Sequence, residues 1–269
     1  MMSNNNFFKV KKEGNIAWVI LNRPKKRNSM NLESFSSLRK IFLRFDEDRD
    51  VRVVVIKAEG KCFTGGLDLL EAATYISADS ADSREQLRKI IIKMQESINV
   101  VERCKKPVIA AVHGLCIGAG VDLLSACDIR MASKDAIFSI RETKIAIIAD
   151  LGTLQRLPTI IGHGWFRELA LTGRNFTATE ALQMGFITRI CDDQKELLSK
   201  AKKLAQEIAA NSPLAVEGAK DVILYSRDNG IYPGLEYVAQ KNASTLPCED
   251  VMEAFNAFME KRPPEFKGK

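Results

Sequence analysis

The chain has 269 residues, 46% hydrophobic and 28% charged, which excludes a disordered or fibrous polymer and suits one large globular domain, alone or with an extension. A chain of this length buries a sizeable core without staples. The formal charge of +6 is mild and spread along the chain; it favours anionic partners weakly, a phosphate-bearing small molecule as well as nucleic acid.

FFKVKKEGNIAWVILNRP alternates and is rich in β-branched and aromatic residues, so it predicts a hairpin turning at EGN. MNLESFSSLRKIFLRFDED follows as a helix, with Leu32, Phe35, Leu38, Phe42 and Phe45 at helical spacing. VRVVVIKAEG reads as a short apolar strand closed by Gly60, and CFTGGLDLL breaks at paired glycines. Residues 70–105 carry at least one amphipathic helix. KPVIAAVHGLCIGAG then repeats the pattern of buried strand and glycine turn before a helix in VDLLSACD, and IRMAS and AIFSI read as further strands. From Gly152 the signals are mostly helical, in TATEALQMG and ELLSKAKKLAQEIAA among others, and amphipathic helices continue over 200–269. Strands alternating with helices imply an α/β protein with a largely parallel core.

The six cysteines (62, 104, 116, 127, 191 and 248) show no CxxC pair and no metal-type spacing, which points to free thiols in a reducing compartment. No run of 18 apolar residues occurs, so no membrane span is expected. MMSNNNFFKVKK lacks the features of a secretory or transit segment, and EFKGK differs from an SKL-type address. The expectation is a soluble intracellular protein: cytoplasmic in a bacterium, with mitochondrion and peroxisome both open otherwise.

Two glycine turns, Gly65-Gly66 and Gly118-Ala119-Gly120, each sit where an apolar strand ends and a helix can begin. One reading is that the glycines simply allow tight turns. The position also leaves backbone N–H groups unpaired and aimed outward, and two such turns facing one point make a two-donor pocket for an oxygen that gains negative charge.

NRPKKRNSMN, CFTGGLDL, HGLCIGAGVDLLSACDIR, GTLQRLPTIIG and TATEALQMGFITRI together resemble the enoyl-CoA hydratase/isomerase (crotonase) superfamily, from about residue 7 to about residue 265. The resemblance implies a crotonase-like spiral of ββα units over 1–200 and a C-terminal helical region, 201–269, for capping and trimerisation. It further implies homotrimers or homohexamers, acyl-CoA thioesters as substrates, and no cofactor beyond the coenzyme A that the substrate carries. By the same resemblance the backbone N–H groups of Leu67 and Ala119 form the oxyanion hole. The family usually has Ala at the first position and Gly at the second; main-chain donors survive both replacements.

Three carboxylates fall at positions that matter: Asp122, Glu142 and Asp150. Hydratases of the superfamily use Glu at the first two positions and have Gly at the third, so this chain departs twice from their pattern. Asp122, Glu142 and Asp150, with ADLGTLQRLP and GVDLLSACDIR, resemble the Δ3,5-Δ2,4-dienoyl-CoA isomerase branch. That branch moves a proton from C2 to C6 of a 3,5-dienoyl thioester, which calls for two acid–base groups and a stabilised enolate. The resemblance assigns Glu142 to C2 and Asp150 to C6, with Asp122 as the third member of the set; a bent acyl chain would reverse the first two. Each acid also has a structural reading. Asp122 suits a helix start, Glu142 an ion pair with Arg141 or Lys144, and Asp150 the N-cap of LGTLQRL. A hydratase that tolerates Asp122, and a non-catalytic homologue binding RNA or acyl-CoA, are the alternatives, although no basic stripe interleaved with aromatics favours nucleic acid.

In the basic run after the hairpin, the same resemblance makes Arg23 and Lys25 candidates for the coenzyme A phosphates, with a solvated loop as the alternative. His113 and His163 lie too far apart in sequence for a metal site, and His113 reads as a satisfied buried imidazole. Phe255, Phe258 and Phe266 read as helix packing.

Overall fold

The computed structural model describes residues 7–76 and 79–269. Residues 1–6, on which part of the targeting reading rests, lie outside it, as do two positions of the 70–105 segment. In chain order the elements are β1 (Phe8–Glu13), β2 (Ile16–Leu21), α1 (Leu32–Glu47), β3 (Val53–Ala58), a single turn α2 (Leu69–Ala72), α3 (Ala81–Arg103), β4 (Val108–Val112), β5 (Leu115–Ile117) and α4 (Ala119–Ser125). There follow β6 (Ile129–Ser133), β7 (Ile137–Ser139), α5 (Thr153–Ile161), α6 (His163–Thr172), β8 (Phe176–Thr177), α7 (Ala178–Gln183), β9 (Arg189–Cys191), α8 (Gln194–Ala209), α9 (Pro213–Asn229), α10 (Ile231–Thr245) and α11 (Glu249–Glu260).

The hairpin β1–β2 opens a six-stranded sheet in the order β1-β2-β3-β4-β6-β9, and every pairing after the hairpin is parallel. β5, β7 and β8 form a second, three-stranded sheet. From β4 onward the pairs β4/β5, β6/β7 and β9/β8 each give one strand to either sheet, in keeping with the spiral of ββα units that the resemblance implied.

Alternation along each strand explains why these segments read as unbroken apolar runs. Ala17, Val19, Val54, Ile56, Ala110 and Val112 join the core beneath α1, α3 and α4. Their neighbours Trp18, Ile20, Val53, Val55, Ile109 and Ala111 pack on the opposite face against Leu197, Ala201 and Ala205 of α8. Both faces are covered, so no polar alternation remains to be read.

Three expectations need correction. The boundary at residue 200 falls inside α8, whose apolar side closes the sheet; the helices that leave the sheet begin after Ala209. Two strands, β8 and β9, lie within the stretch that read as helical, and their two or three residues are too short to show a period. Phe255 and Phe258, expected to pack, are 62% and 81% exposed. They project from α11, which carries only Asp250 and Ala257 as buried residues.

Candidate active site

The two glycine turns are laced together by backbone hydrogen bonds. Thr64 N–H donates to Leu115 O at 2.9 Å, and Ile117 N–H donates to Thr64 O at 3.2 Å. The buried Thr64 hydroxyl donates to Asn28 O (2.7 Å) and accepts the Gly66 N–H (3.1 Å), fixing the first turn on the loop after β2. Gly66 has φ +89°, and a Cβ there would lie 2.6 Å from Ile117 O, so only glycine lets the two turns approach this closely. Gly66 O is held by Met30 N–H, and Asp68 N–H by Met30 O. Leu67 N–H, between them, makes no turn or cap hydrogen bond among the described residues. Ala119 opens α4, and the first amide of a helix has no intrahelical acceptor. Leu67 and Ala119 line one cavity of about 590 Å³.

The three acids meet in that cavity. Glu142 starts the 3-10 turn Glu142–Ile145 that follows β7, and its Oε1 lies 3.1 Å from where a Cβ on Gly118 would stand. Its Oε2 is buried without a partner. Burial, and then the charges of Asp122 and Asp150, push its carboxyl up to about 7. The ion pair read from its neighbours does not form among the described residues: Arg141 instead donates to Asn175 Oδ1.

Asp122 is 1% exposed. Burial drives its carboxyl up to about 6, opposed by Thr153, whose N–H donates to Asp122 Oδ1 at 2.7 Å. Thr153 is the first residue of α5. The capping role expected for Asp150 therefore falls to Asp122, which serves a helix 31 residues away, because Gly152 occupies the N-cap position. Asp150 is half-buried, and burial raises its carboxyl as well. Its main-chain carbonyl accepts a hydrogen bond from Gln95 Nε2 of α3 at 2.7 Å.

Around the acids the wall is apolar. Leu87, Ile91 and Met94 of α3 face it, with Ile117, Ile147 and Leu151. Tyr75 also lines it, its hydroxyl buried without a partner. Sequence reasoning missed Thr64, Gln95, Thr153 and Tyr75, since none belongs to a pattern of charge or periodicity.

Arg23 and Lys25 lie outside this lining. Arg23 is held inside its own loop: it donates to Ser29 O (2.9 Å), pairs with Asp68 at 3.4 Å and sits over the Phe7 ring. Lys25 borders a separate cavity of about 650 Å³ with Arg27, Lys61 and Leu115. His113 is buried and bonds Gly60 O at 2.9 Å, as a satisfied imidazole. No group of three or more His, Cys, Asp or Glu able to hold a metal occurs among the described residues, nor does a helix long and apolar enough to cross a membrane.

A fold of ββα turns with two facing glycine turns and acids beneath them defines a class, and sequence comparison agrees. The family model described as enoyl-CoA hydratase/isomerase matches residues 11–269, and the chain belongs to that family. Among curated relatives, the peroxisomal Δ3,5-Δ2,4-dienoyl-CoA isomerase of Arabidopsis thaliana is 43% identical over 94% of this chain and 93% of its own. The mitochondrial Δ3,5-Δ2,4-dienoyl-CoA isomerase of Homo sapiens is 45% identical over 91% of this chain and 76% of its own. Among solved structures, an enoyl-CoA hydratase from Bacillus anthracis superposes with a TM-score of 0.91 at 33% identity, covering 98% of this chain and 100% of that one.

Proposed function

We propose that the protein isomerises 3,5-dienoyl-CoA to 2,4-dienoyl-CoA in the β-oxidation of unsaturated fatty acids. The observation that carries this reading is a third carboxyl, Asp150, facing the same apolar cavity as Asp122 and Glu142 beside the two free turn amides. The relatives named dienoyl-CoA isomerase support it.

The thioester oxygen accepts from Leu67 N–H and Ala119 N–H, which stabilise it as negative charge develops; one such donor contributes on the order of 3 kcal/mol to lowering the barrier. Glu142 adjoins Gly118, one residue before Ala119, so it lies on the C2 side of a carbonyl held there. Its carboxylate takes the C2 proton, and the electron pair spreads over the oxygen, C2, C4 and C6. Asp150, tied through its carbonyl to α3, lies on the side of Leu87, Ile91 and Met94 where the tail runs, and its carboxylic acid protonates C6. The double bonds then stand at C2 and C4. Asp122 keeps the negative charge of the trio from exceeding what the pocket holds, through its own raised carboxyl. The coenzyme A nucleotide follows the cavity edged by Lys25, Arg27 and Lys61. The exposed apolar side of α10 and α11 is the contact between copies in a trimer or hexamer.

The test is spectroscopic. Pure protein mixed with a 3,5-dienoyl-CoA is expected to generate the absorbance of the conjugated 2,4-dienoyl thioester, and Asp150→Asn to abolish it while acyl-CoA binding persists. Hydration of a 2-enoyl-CoA without isomerisation, or full turnover by Asp150→Asn, defeats the reading.

A further inference from the structure

Helix α3 presents two stripes to this region. Leu87, Ile91 and Met94 line the cavity. Gln95, Asn99 and Glu102, four and three residues apart, share one polar side. Gln95 holds the carbonyl of Asp150. Asn99 and Glu102 hold Arg156 of α5: its Nε donates to Glu102 Oε1 at 2.9 Å, and its Nη2 to Asn99 Oδ1 at 2.7 Å and Glu102 Oε2 at 3.1 Å. The two charged side chains are only 11% and 14% exposed. Glu102 also accepts from Arg227 of α9. Gly152, with φ +121°, gives up its side-chain space to this guanidinium, because a Cβ there would lie 1.8 Å from Arg156 Nη1.

We infer that Arg156, clamped by Glu102 and Asn99, is a positioning residue for the acids: it seats the 150–153 turn so that Thr153 N–H meets Asp122 and Asp150 faces the cavity. The inference rests on the proton-transfer reading above. Arg156 stands one turn after Thr153 on the same helix, so the clamp that fixes its head also fixes the amide that Asp122 accepts. A two-point tie, Gln95 on one side of the turn and Glu102 with Asn99 on the other, leaves the segment little freedom to swing its carboxyl away from α3. Charge acts in the same sense. Asp122 faces Asp150, Glu142 on its 3-10 turn and Cys116 of β5; Arg156 is the cation that favours its ionised form. Behind Arg156 stand Glu102 of α3 and Arg227 and Asp228 of α9.

The experiment compares Arg156→Gln, Arg156→Lys and Glu102→Ala in the full chain. It measures kcat and KM for a 3,5-dienoyl-CoA across pH, and the titration of the Asp122 carboxyl by carbon-13 NMR. Arg156→Gln is expected to lower kcat about 10²-fold, the loss that misplacing a reacting group by about 1 Å brings, with KM nearly unchanged. It is also expected to move the Asp122 titration to higher pH, whereas Arg156→Lys leaves that titration near its original place. Glu102→Ala keeps the cation but frees it, so kcat falls about tenfold with the titration little moved; it also serves if Arg156→Gln does not fold. An unmoved Asp122 titration in folded Arg156→Gln, or an unaltered kcat in Glu102→Ala, overturns the inference. A wild-type protein that does not isomerise the diene sinks the proposed function instead, and the NMR titration still decides the role of Arg156.

Discussion

A carboxyl in an apolar wall stays ionised only with help, and the three acids differ in what they receive. Asp122 has a backbone amide from another helix; Glu142 has no partner at Oε2; Asp150 is anchored through its own carbonyl rather than its side chain. Because burial raises Asp122 and Glu142, their neutral forms favour the fold. That contribution is complete below their ordinary ranges and is lost as pH rises through about 6 and about 7. Moving Asp122 from 3.8 to about 6 corresponds to about 3 kcal/mol. Asn at 122 keeps an oxygen for Thr153 N–H yet cannot ionise, so the Tm of Asp122→Asn relative to wild type is expected to rise between pH 4 and pH 8. A difference that stays flat across this range contradicts the buried-charge account. The catalytic counterpart is a bell-shaped dependence of kcat/KM centred near neutrality, since proton shuttling needs one acid ionised and another protonated. Activity that climbs monotonically to pH 9 is incompatible with it.

Among the elements, the loop between β2 and α1 does the most for the site without entering it. Asn28 is buried with φ +54°; its Nδ2 donates to Glu59 O (2.8 Å) and Cys62 O (3.0 Å), and its Oδ1 accepts Arg23 N–H at 2.7 Å. Its carbonyl receives the Thr64 hydroxyl that orders Gly66. Asn28→Ala strands buried main-chain groups and places alanine in a left-handed conformation, so urea unfolding is expected to show a loss of about 2–3 kcal/mol. Turnover is expected to drop with it as the Leu67 amide drifts; unchanged stability argues against this staple. Nothing in NRPKKRNSMN marks Asn28 above its neighbours, because its partners lie 31 and 34 residues away.

For the molecule as a whole, the apolar surface is unevenly shared. Ile231, Tyr232 and Leu235 of α10 and Met252, Phe255, Phe258 and Met259 of α11 are exposed, with Tyr232 at 86%. Apolar side chains this numerous on two successive helices support the proposed contact between copies. Tyr232→Glu combined with Phe258→Glu is expected to convert the proposed trimer or hexamer to monomers in sedimentation velocity, while the described core keeps its circular dichroism. A wild-type protein that sediments as a monomer refutes this use of the surface.

The parallel core, the hairpin, α1 and the two glycine turns were readable along the chain because their signals are local: a run of β-branched residues, an apolar period, a glycine where a strand stops. The three acids were readable as positions, since their neighbours form motifs of few residues. What stood beyond reach was every relation between distant segments. Asp122 caps a helix that begins 31 residues later, Arg156 finds Glu102 across 54, and α8 closes a sheet whose strands begin at Phe8. Such pairings depend on which surfaces meet once the spiral has closed, and hydrophobic burial, which is non-directional, writes no sign of them into a single stretch.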